Sequence, residues 1–527
     1  MKPKLFCNRL TADTILQAVL RLYLFFLCAV FPLYIGRGRY DLMIYYKKDL
    51  LIRGTAAAVI AVIVLLGVKW ILERPKPEWK KLFSRYDFLI GGFFLITGIS
   101  FLHSIDRYDG WNGAPGWFMG MKTMLILLAV YIFYAKLMRW HRLDALLVFS
   151  GPFIVMGLAV LNRFGIALIN PSQYDPMYLS TIGNTNWLSC YTAVVFSAGA
   201  GLYVSGVFKE KAAGILWSLF LTAGYVSILT NGSDSVFLWL AALLAVLLCW
   251  GSSSKEAMIR VIHCLVLLGL SLSMLAVIQK LRPDIRADYM FPNATGLAAK
   301  ITRKFYWIPV TAILAGAGVY IRKSEIPDRN AEYPLRMLIV AGAAVTAVVL
   351  LVQLTGIITI PDEFGTGRGY LWRLTADLFR NLPADRKLLG VGPDCYGRYT
   401  LRDWDFMMAL MEMFPGSSAA NAHSEPLTML VNLGFLGTGA YFAAVIYGCL
   451  ETAKLPSPYR LPVLAAVVSC TACQLVSFQL IVSTPYLFLA LAFAGYLILH
   501  VQPETAVSAE PVKTGPKRKK KRKKKKR

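Results

Sequence analysis

The chain has 527 residues, of which 57% are hydrophobic and only 16% charged, with a mean hydropathy of +0.54 and a net charge of +26. Soluble globular domains carry about a quarter charged residues, so this composition excludes one. No nucleic-acid partner is expected either, because twelve of the positive charges crowd into residues 513–527 and removing them from +26 leaves +14 for the rest of the chain.

Apolar stretches recur from end to end. A bilayer core about 30 Å thick needs roughly 20 apolar residues per helix, and fourteen such runs are centred near Leu24, Ile63, Phe94, Leu127, Ile154, Val195, Leu219, Leu243, Val266, Ala315, Val345, Ala440, Val467 and Leu489. They are too long and too unalternating for barrel strands, and in lipid every backbone group must be satisfied internally. The expected fold is therefore all-α, a polytopic transmembrane helical bundle of about 12–14 helices with one large external loop.

The first run, 15–35, is long enough to span and lacks a small-residue cleavage site. Lys2, Lys4 and Arg9 place the N-terminus on the cytoplasmic side, and an even number of spans brings the C-terminus to the same side. Basic segments at 73–85, 136–142 and 322–336 then fall inside, and the weakly charged segments 106–116 and 170–186 outside. Two segments break the pattern: 37–53 and 280–304 carry five and six basic residues on the predicted outer side. They imply either a polyanionic ligand there or a miscounted helix. The chain divides into N-terminal transmembrane helices (1–180), a second transmembrane region (181–500) that includes an external loop at 361–425, and a disordered polybasic cytoplasmic tail (501–527) suited to anionic lipid headgroups. The nine cysteines form neither a disulfide framework nor a CxxC pair.

The 361–425 segment is too long for a passive connector. Its aromatics (Tyr370, Trp372, Tyr396, Tyr399, Trp404, Phe406 among them) call for order, and residues 372–381 have helical spacing with Leu371, Leu374, Leu378 and Phe379 on one side. Chemistry is placed here. His423 stands at the end of the segment, in Asn421-Ala422-His423-Ser424-Glu425, with Gly434 and Gly437 following. With a pKa near neutrality an imidazole takes a proton from a hydroxyl and returns it; the plainer reading is a hydrogen-bonded interfacial histidine. Ser424 and Glu425 are placed either to orient the ring or to compete for water. Glycines on both sides of Arg368 let backbone amides approach an anion that the guanidinium also grips. Most other arginines of the segment are expected to pair with its nine acidic residues. Asn184 and Asn186, in Gly183-Asn184-Thr185-Asn186, either bind sugar hydroxyls or cap the helix that follows. No HExxH, nucleotide fingerprint or convincing Asp pair is present, Asp403-Trp404-Asp405 being the nearest. The reading therefore calls for no metal and no cofactor.

Four motifs occur in order: Gly183-Asn184-x-Asn186, Gly367-Arg368-x3-Trp372, Leu389-Gly390-x-Gly392 and His423-Ser424-x9-Gly434-x-x-Gly437. Together they resemble the O-antigen ligase and O-antigen polymerase family of bacterial envelope glycosyltransferases, most closely over 183–437. The resemblance implies a metal-independent transferase at the outer face of the bacterial cytoplasmic membrane. Its donor would be an undecaprenyl-pyrophosphate-linked glycan and its acceptor a hydroxyl on a glycan, lipid or protein. It implies that His423 is the base for the acceptor, that Arg368 stabilises the pyrophosphate leaving group, and that Arg373, Asn184, Asn186, Glu425 and Arg303 bind substrate. One departure is clear: the family's further arginine, in a Ser-Arg-Gly segment, meets Asp234 here, with Arg303, Lys304, Arg373 and Arg163 as substitutes. Competing readings are a transporter or flippase of lipid-linked glycans, which predicts charges within the spans, and a non-catalytic envelope scaffold.

Overall fold

The structure, a computed structural model, describes residues 11–37, 42–73, 82–166, 168, 178–285, 290, 296–325 and 327–501. The tail from residue 502, the N-terminal Lys2, Lys4 and Arg9, and the basic residues of 74–81 lie outside the described residues. Helix makes up 76% of the described residues, and Tyr178–Leu179 paired antiparallel with Gly183–Asn184 is a minimal strand pair, so the fold is all-α.

The bundle is built from α1 (Ala12–Leu33), α2 (Met43–Glu73), α3 (Arg85–Leu102), α4 (Met121–Ile132, continued by a π-turn at Phe133–Leu137), α5 (Asp144–Arg163), α6 (Thr185–Ser205), α7 (Lys211–Leu229), α8 (Ser235–Gly251), α9 (Lys255–Leu281), α10 (Trp307–Lys323) and α11 (Glu332–Thr355). It continues, after the 361–425 segment with its first helix α12 (Phe364–Asn381), into α13 (Glu425–Lys454), α14 (Arg460–Gln474) and α15 (Thr484–His500). Each predicted apolar centre falls inside one of these helices. Among the described residues nine helices are long and apolar enough to cross a membrane, which makes the chain a multi-pass membrane protein. At about 1.5 Å per residue, the 15 residues of α14 fall short of a bilayer core. That helix is instead buried almost throughout, against α6 and α8, where no lipid thickness needs to be matched.

Successive spans alternate in direction, giving the molecule two ends. One end is tied by Ile481 N–H to Trp117 O at 3.1 Å and Gln279 Nε2 to Thr302 Oγ1 at 3.0 Å; it carries the 361–425 segment and is called the site end below. The opposite end is tied by Arg142–Glu210 at 2.9 Å, Lys69–Asp13 at 2.9 Å and Arg329 N–H to Ser253 O at 2.7 Å.

The basic run at 37–53 is mostly not a loop. Helix α2 begins at Met43, and Lys47 is fully buried, its ammonium donating to Phe31 O and Pro32 O at 3.0 and 2.8 Å. These carbonyls end α1 and have no helical partner, so Lys47 satisfies them instead of waiting for a polyanion. Lys47 is thereby removed from the segment's candidate anion-binding cations, and Arg39 lies outside the described residues. In the second basic run Arg282 pairs with Asp284 at 2.7 Å, whereas Lys300, Arg303 and Lys304 are solvent-facing.

The 361–425 segment folds as an ordered cap with its own core, in which Leu371, Leu374, Leu378 and Phe379 of α12 meet Val391, Tyr396, Phe406 and Leu430. A broken helix joins the cap to the bundle. Helix α13 is interrupted at Gly434 (φ 66°, ψ −171°), so the carbonyls of Val431 and Asn432 lose their helical donors. Val391 N–H and Gly392 N–H replace them at 2.9 and 3.0 Å, and Tyr396 N–H reaches Asn432 Oδ1 at 2.7 Å. The approach needs two bare glycines. A Cβ on Gly390 would lie 2.2 Å from Asn432 O, and one on Gly434 2.3 Å from Leu388 O. The Leu-Gly-Val-Gly stretch and the glycine after His423 are thus two halves of one backbone lock.

Candidate functional site

The lock fixes where the nine residues before it emerge, and His423 stands at their start. Its backbone is left-handed (φ 49°), a conformation costly for a non-glycine residue. A turn holds it there: His423 N–H donates to Asn421 Oδ1 at 2.9 Å, while Ala422 N–H donates to Thr428 Oγ1 at 3.1 Å. The imidazole is half-buried with its edge against Phe478, ring centroids 5.0 Å apart, and its Nδ1 is enclosed without a partner. Burial first, and the charge of Arg368 second, push its pKa down to about 4. The near-neutral pKa expected from an interfacial histidine is therefore corrected: the ring is neutral at physiological pH because a charged form would be desolvated beside a cation.

Arg368 begins the regular part of α12, after three left-handed residues, Gly365, Thr366 and Gly367. Gly367 has no room for a side chain, since a Cβ would lie 2.3 Å from the Phe414 ring. That tight turn carries the guanidinium back toward the bundle. Burial holds the Arg368 pKa below its usual value, opposed by Asp234 and the neighbouring Cys190 and Cys473. Among the described residues it is the segment's one arginine with neither an ion pair nor a hydrogen bond. Arg373 pairs with Asp362 at 2.7 Å and stacks on Tyr370; Arg380 pairs with Asp377; Arg386 donates to His103 O; Arg398 reaches Asp109 at 2.7 Å; Arg402 lies 3.8 Å from Asp106.

Asn184 caps α6, accepting Asn186 N–H at 2.8 Å. Asn186 goes further into the site: its Oδ1 accepts from Ser233 Oγ at 2.6 Å, in the 231–235 turn that contains Asp234. Behind it runs a directed chain in which Trp239 Nε1–H donates to Ser189 at 3.1 Å, and Ser189, Ser235 and Ser233 hydroxyls follow at 2.8 Å steps. Arg163 is buried at the same turn, donating to Asn231 O at 2.8 Å beside Gly232. Of the cations considered as substitutes at Asp234, Arg163 is the one that the structure brings to that turn; Arg373 is engaged with Asp362, and Arg303 sits exposed beyond Leu297–Thr302.

Glu425 is buried directly after the His423 turn, but its carboxylate accepts Gln479 N–H at 2.7 Å and does not orient the imidazole. Ser424 Oγ faces Gln353 Oε1 at 3.4 Å. The ring is oriented by Phe478 instead, a residue in the turn between α14 and α15 that sequence reasoning passed over because nothing in Ser477-Phe478-Gln479 marks a site. Asp394 was passed over as well. Left-handed at φ 58°, it accepts from Ala114 and Met119 N–H at 2.7 and 2.8 Å, tying the cap to the 113–120 loop, and burial raises its pKa to about 7. Asp403, half of the discounted Asp pair, caps Trp404–Met413.

An apolar groove of about 600 Å³ runs between α8, α11, α13 and α14. Leu350, Leu430 and Leu475 line its upper part. These lie within a turn or two of Gln353, Ser424 and Phe478, so the groove rises to the His423 region. Chemically, the site combines a neutral imidazole, an unpaired cation and an amide–hydroxyl chain above a hydrocarbon-lined groove. Comparison with protein-family models found no match, nor did comparison with curated proteins or with solved structures.

Proposed function

We propose that the protein is a membrane glycosyltransferase, ligase or polymerase, moving a glycan from an undecaprenyl-pyrophosphate carrier to an acceptor hydroxyl. The observation that carries this reading is a half-buried His423 lying within the field of Arg368, a cation with no ion pair or hydrogen bond among the described residues. Part of the polyprenyl chain would lie in the groove with the pyrophosphate on Arg368, whose planar guanidinium binds phosphate oxygens in pairs. The sugar hydroxyls meet Asn186, whose acceptor is already polarised by the serine chain.

In this mechanism the acceptor oxygen attacks the anomeric carbon while His423 takes its proton. The new carbon–oxygen bond forms as the bond to the lipid pyrophosphate breaks, with inversion, and the electron pair leaves on the pyrophosphate facing Arg368. Neutrality at pH 7 supplies the form of His423 that a base needs. A bound pyrophosphate also offsets the field of Arg368 and returns basicity to the ring as the donor arrives. The site end would face outward from a bacterial cytoplasmic membrane, with both termini cytoplasmic. The purified protein given a lipid-pyrophosphate glycan and an acceptor should release undecaprenyl pyrophosphate, unaffected by a chelator. Transport of intact donor across a vesicle bilayer without such release would replace this reading with that of a flippase.

A further inference from the structure

One buried amide at the site end takes no part in the transfer steps. Most of α11 is exposed on the outside of the bundle, and its buried residues are Leu335, Ile339 and Gln353. In Leu350-Leu351-Val352-Gln353-Leu354 the glutamine is the only polar residue, yet it is turned inward and only 5% exposed. Burying an amide costs free energy unless hydrogen bonds replace those to water, so an apolar span retains one where it meets a partner or a ligand.

Gln353 meets a partner on one side only. Ser424 Oγ–H donates to its Oε1 at 3.4 Å, and Nε2, on the other branch of the planar amide, is enclosed without a hydrogen-bond partner among the described residues. Buried donors are nearly always paired, because an unpaired one has lost its hydration for nothing. The surroundings show which acceptor is missing. Leu350, one turn earlier on the same face of α11, lines the upper part of the apolar groove. Leu350 and Leu354 also pack against the cap core of α12, whose regular part begins at Arg368, and Ser424 follows His423 in the chain. Gln353 therefore stands where the groove rises to the site, among the elements that carry the imidazole and the guanidinium.

We propose that Gln353 binds the donor, its Nε2–H donating to a pyrophosphate oxygen of the polyprenyl carrier whose chain lies in the groove. This role rests on the carrier occupying the groove and Arg368, as proposed for the transferase. The first polar group above a chain in the groove is the pyrophosphate, which offers more acceptor oxygens than the paired donors of one guanidinium satisfy. The contact reads the carrier and not the sugar, so it is common to donors with different glycans.

The test measures binding instead of turnover, with radiolabelled undecaprenyl pyrophosphate on the full-length protein in nanodiscs and undecaprenol as the probe of the groove alone. Gln353→Met, which keeps the length and removes the donor, is expected to bind undecaprenyl pyrophosphate about tenfold more weakly, corresponding to about 1.4 kcal/mol, with unchanged affinity for undecaprenol. It should also unfold at or above the wild-type temperature, because the free protein loses an unmet donor. Gln353→Glu keeps an acceptor for Ser424 and should weaken binding of the pyrophosphate further through like charge. Loss of binding in Arg368→Ala with wild-type affinity in both Gln353 variants would overturn this role and leave the transferase reading standing. Absence of binding by the wild type would overturn both. A lower unfolding temperature of Gln353→Met, or equal weakening for undecaprenol, would assign the amide to the fold and likewise overturn its role in binding.

Discussion

The two ends of this bundle are built on opposite principles. At the opposite end, cations are neutralised across helices: Arg21 with Asp144, Lys69 and Arg139 with Asp13, Lys136 with Asp87, Arg142 with Glu210. At the site end stand all five left-handed non-glycine residues of the described structure, Phe118, Ser180, Thr366, Asp394 and His423. Helix α13 is broken there, Arg368 is unpaired, and Nδ1 of His423 and Nδ2 of Asn231 are buried without partners. Strained conformations cost roughly 1–3 kcal/mol each and persist only where the surroundings over-determine them. The contrast teaches that ion pairs between helices hold one end, whereas the left-handed backbone positions collect at the other.

The largest effect is expected at the base. His423→Ala should lower transfer by about 10²–10⁴-fold, the usual contribution of a positioned acid–base group, with no comparable loss of thermal stability. Arg368→Ala should cost about 10²–10³-fold, and Arg368→Lys should recover only part of it, because a point charge lacks the paired donors of a guanidinium. A rate assay for release of the lipid pyrophosphate reads both. In contrast, Arg139→Ala at the opposite end should leave the rate unchanged and lower stability by about 1 kcal/mol or less, since its pair with Asp13 is solvent-exposed. A large rate loss there would erase the contrast between the ends.

The lock gives the next prediction. Gly390→Ala forces a Cβ to within 2.2 Å of Asn432 O at a left-handed position. Unfolding should become easier by about 1–3 kcal/mol, with a rate loss that follows displacement of the His423 turn. An alanine variant of wild-type stability would show that the cap is not held by this contact.

The pH dependence sharpens the site further. Since the His423 pKa lies at about 4 in the folded free protein, the acid limb of kcat/KM, which reports the free enzyme, should fall near pH 4. An imidazole in water would place it near 6.5. A limb near 6.5 would mean that the ring is neither desolvated nor under the field of Arg368. In stability the sign follows from proton binding. The unfolded chain protonates His423 first, so this group's contribution is complete above about pH 6.5 and is lost as pH falls toward 4. Asp394, raised to about 7, acts oppositely: its contribution is complete below its unfolded value near 3.8 and is lost as pH rises toward 7. The two offset each other between about pH 4 and 6.5, so thermal unfolding of Asp394→Asn across that window should lose Asp394's share of the opposing dependence.

Much of this was legible in the sequence because hydropathy counts helices directly. The apolar centres all fall in helices, and Leu371, Leu374, Leu378 and Phe379 face a core as their spacing required. Arg368 also stood out beside glycines, of which Gly365 and Gly367 prove to belong to a left-handed turn before it. Other features were not legible, for physical reasons. The role of Gly390 depends on a contact with Asn432, more than forty residues away. Lys47 read as a loop cation because sequence does not show that Phe31 and Pro32 leave carbonyls in need of a donor. The depressed pKa of His423 follows from burial against Phe478, and that contact exists only after the α14–α15 turn has folded over the site.

The most direct test of the central claim is single-turnover release of undecaprenyl pyrophosphate from a lipid-linked glycan by purified wild-type, His423→Ala and Arg368→Ala proteins, with folding monitored in parallel. The account predicts release by the wild type and a loss of at least about 100-fold in each folded variant. Full release by either folded variant would contradict it.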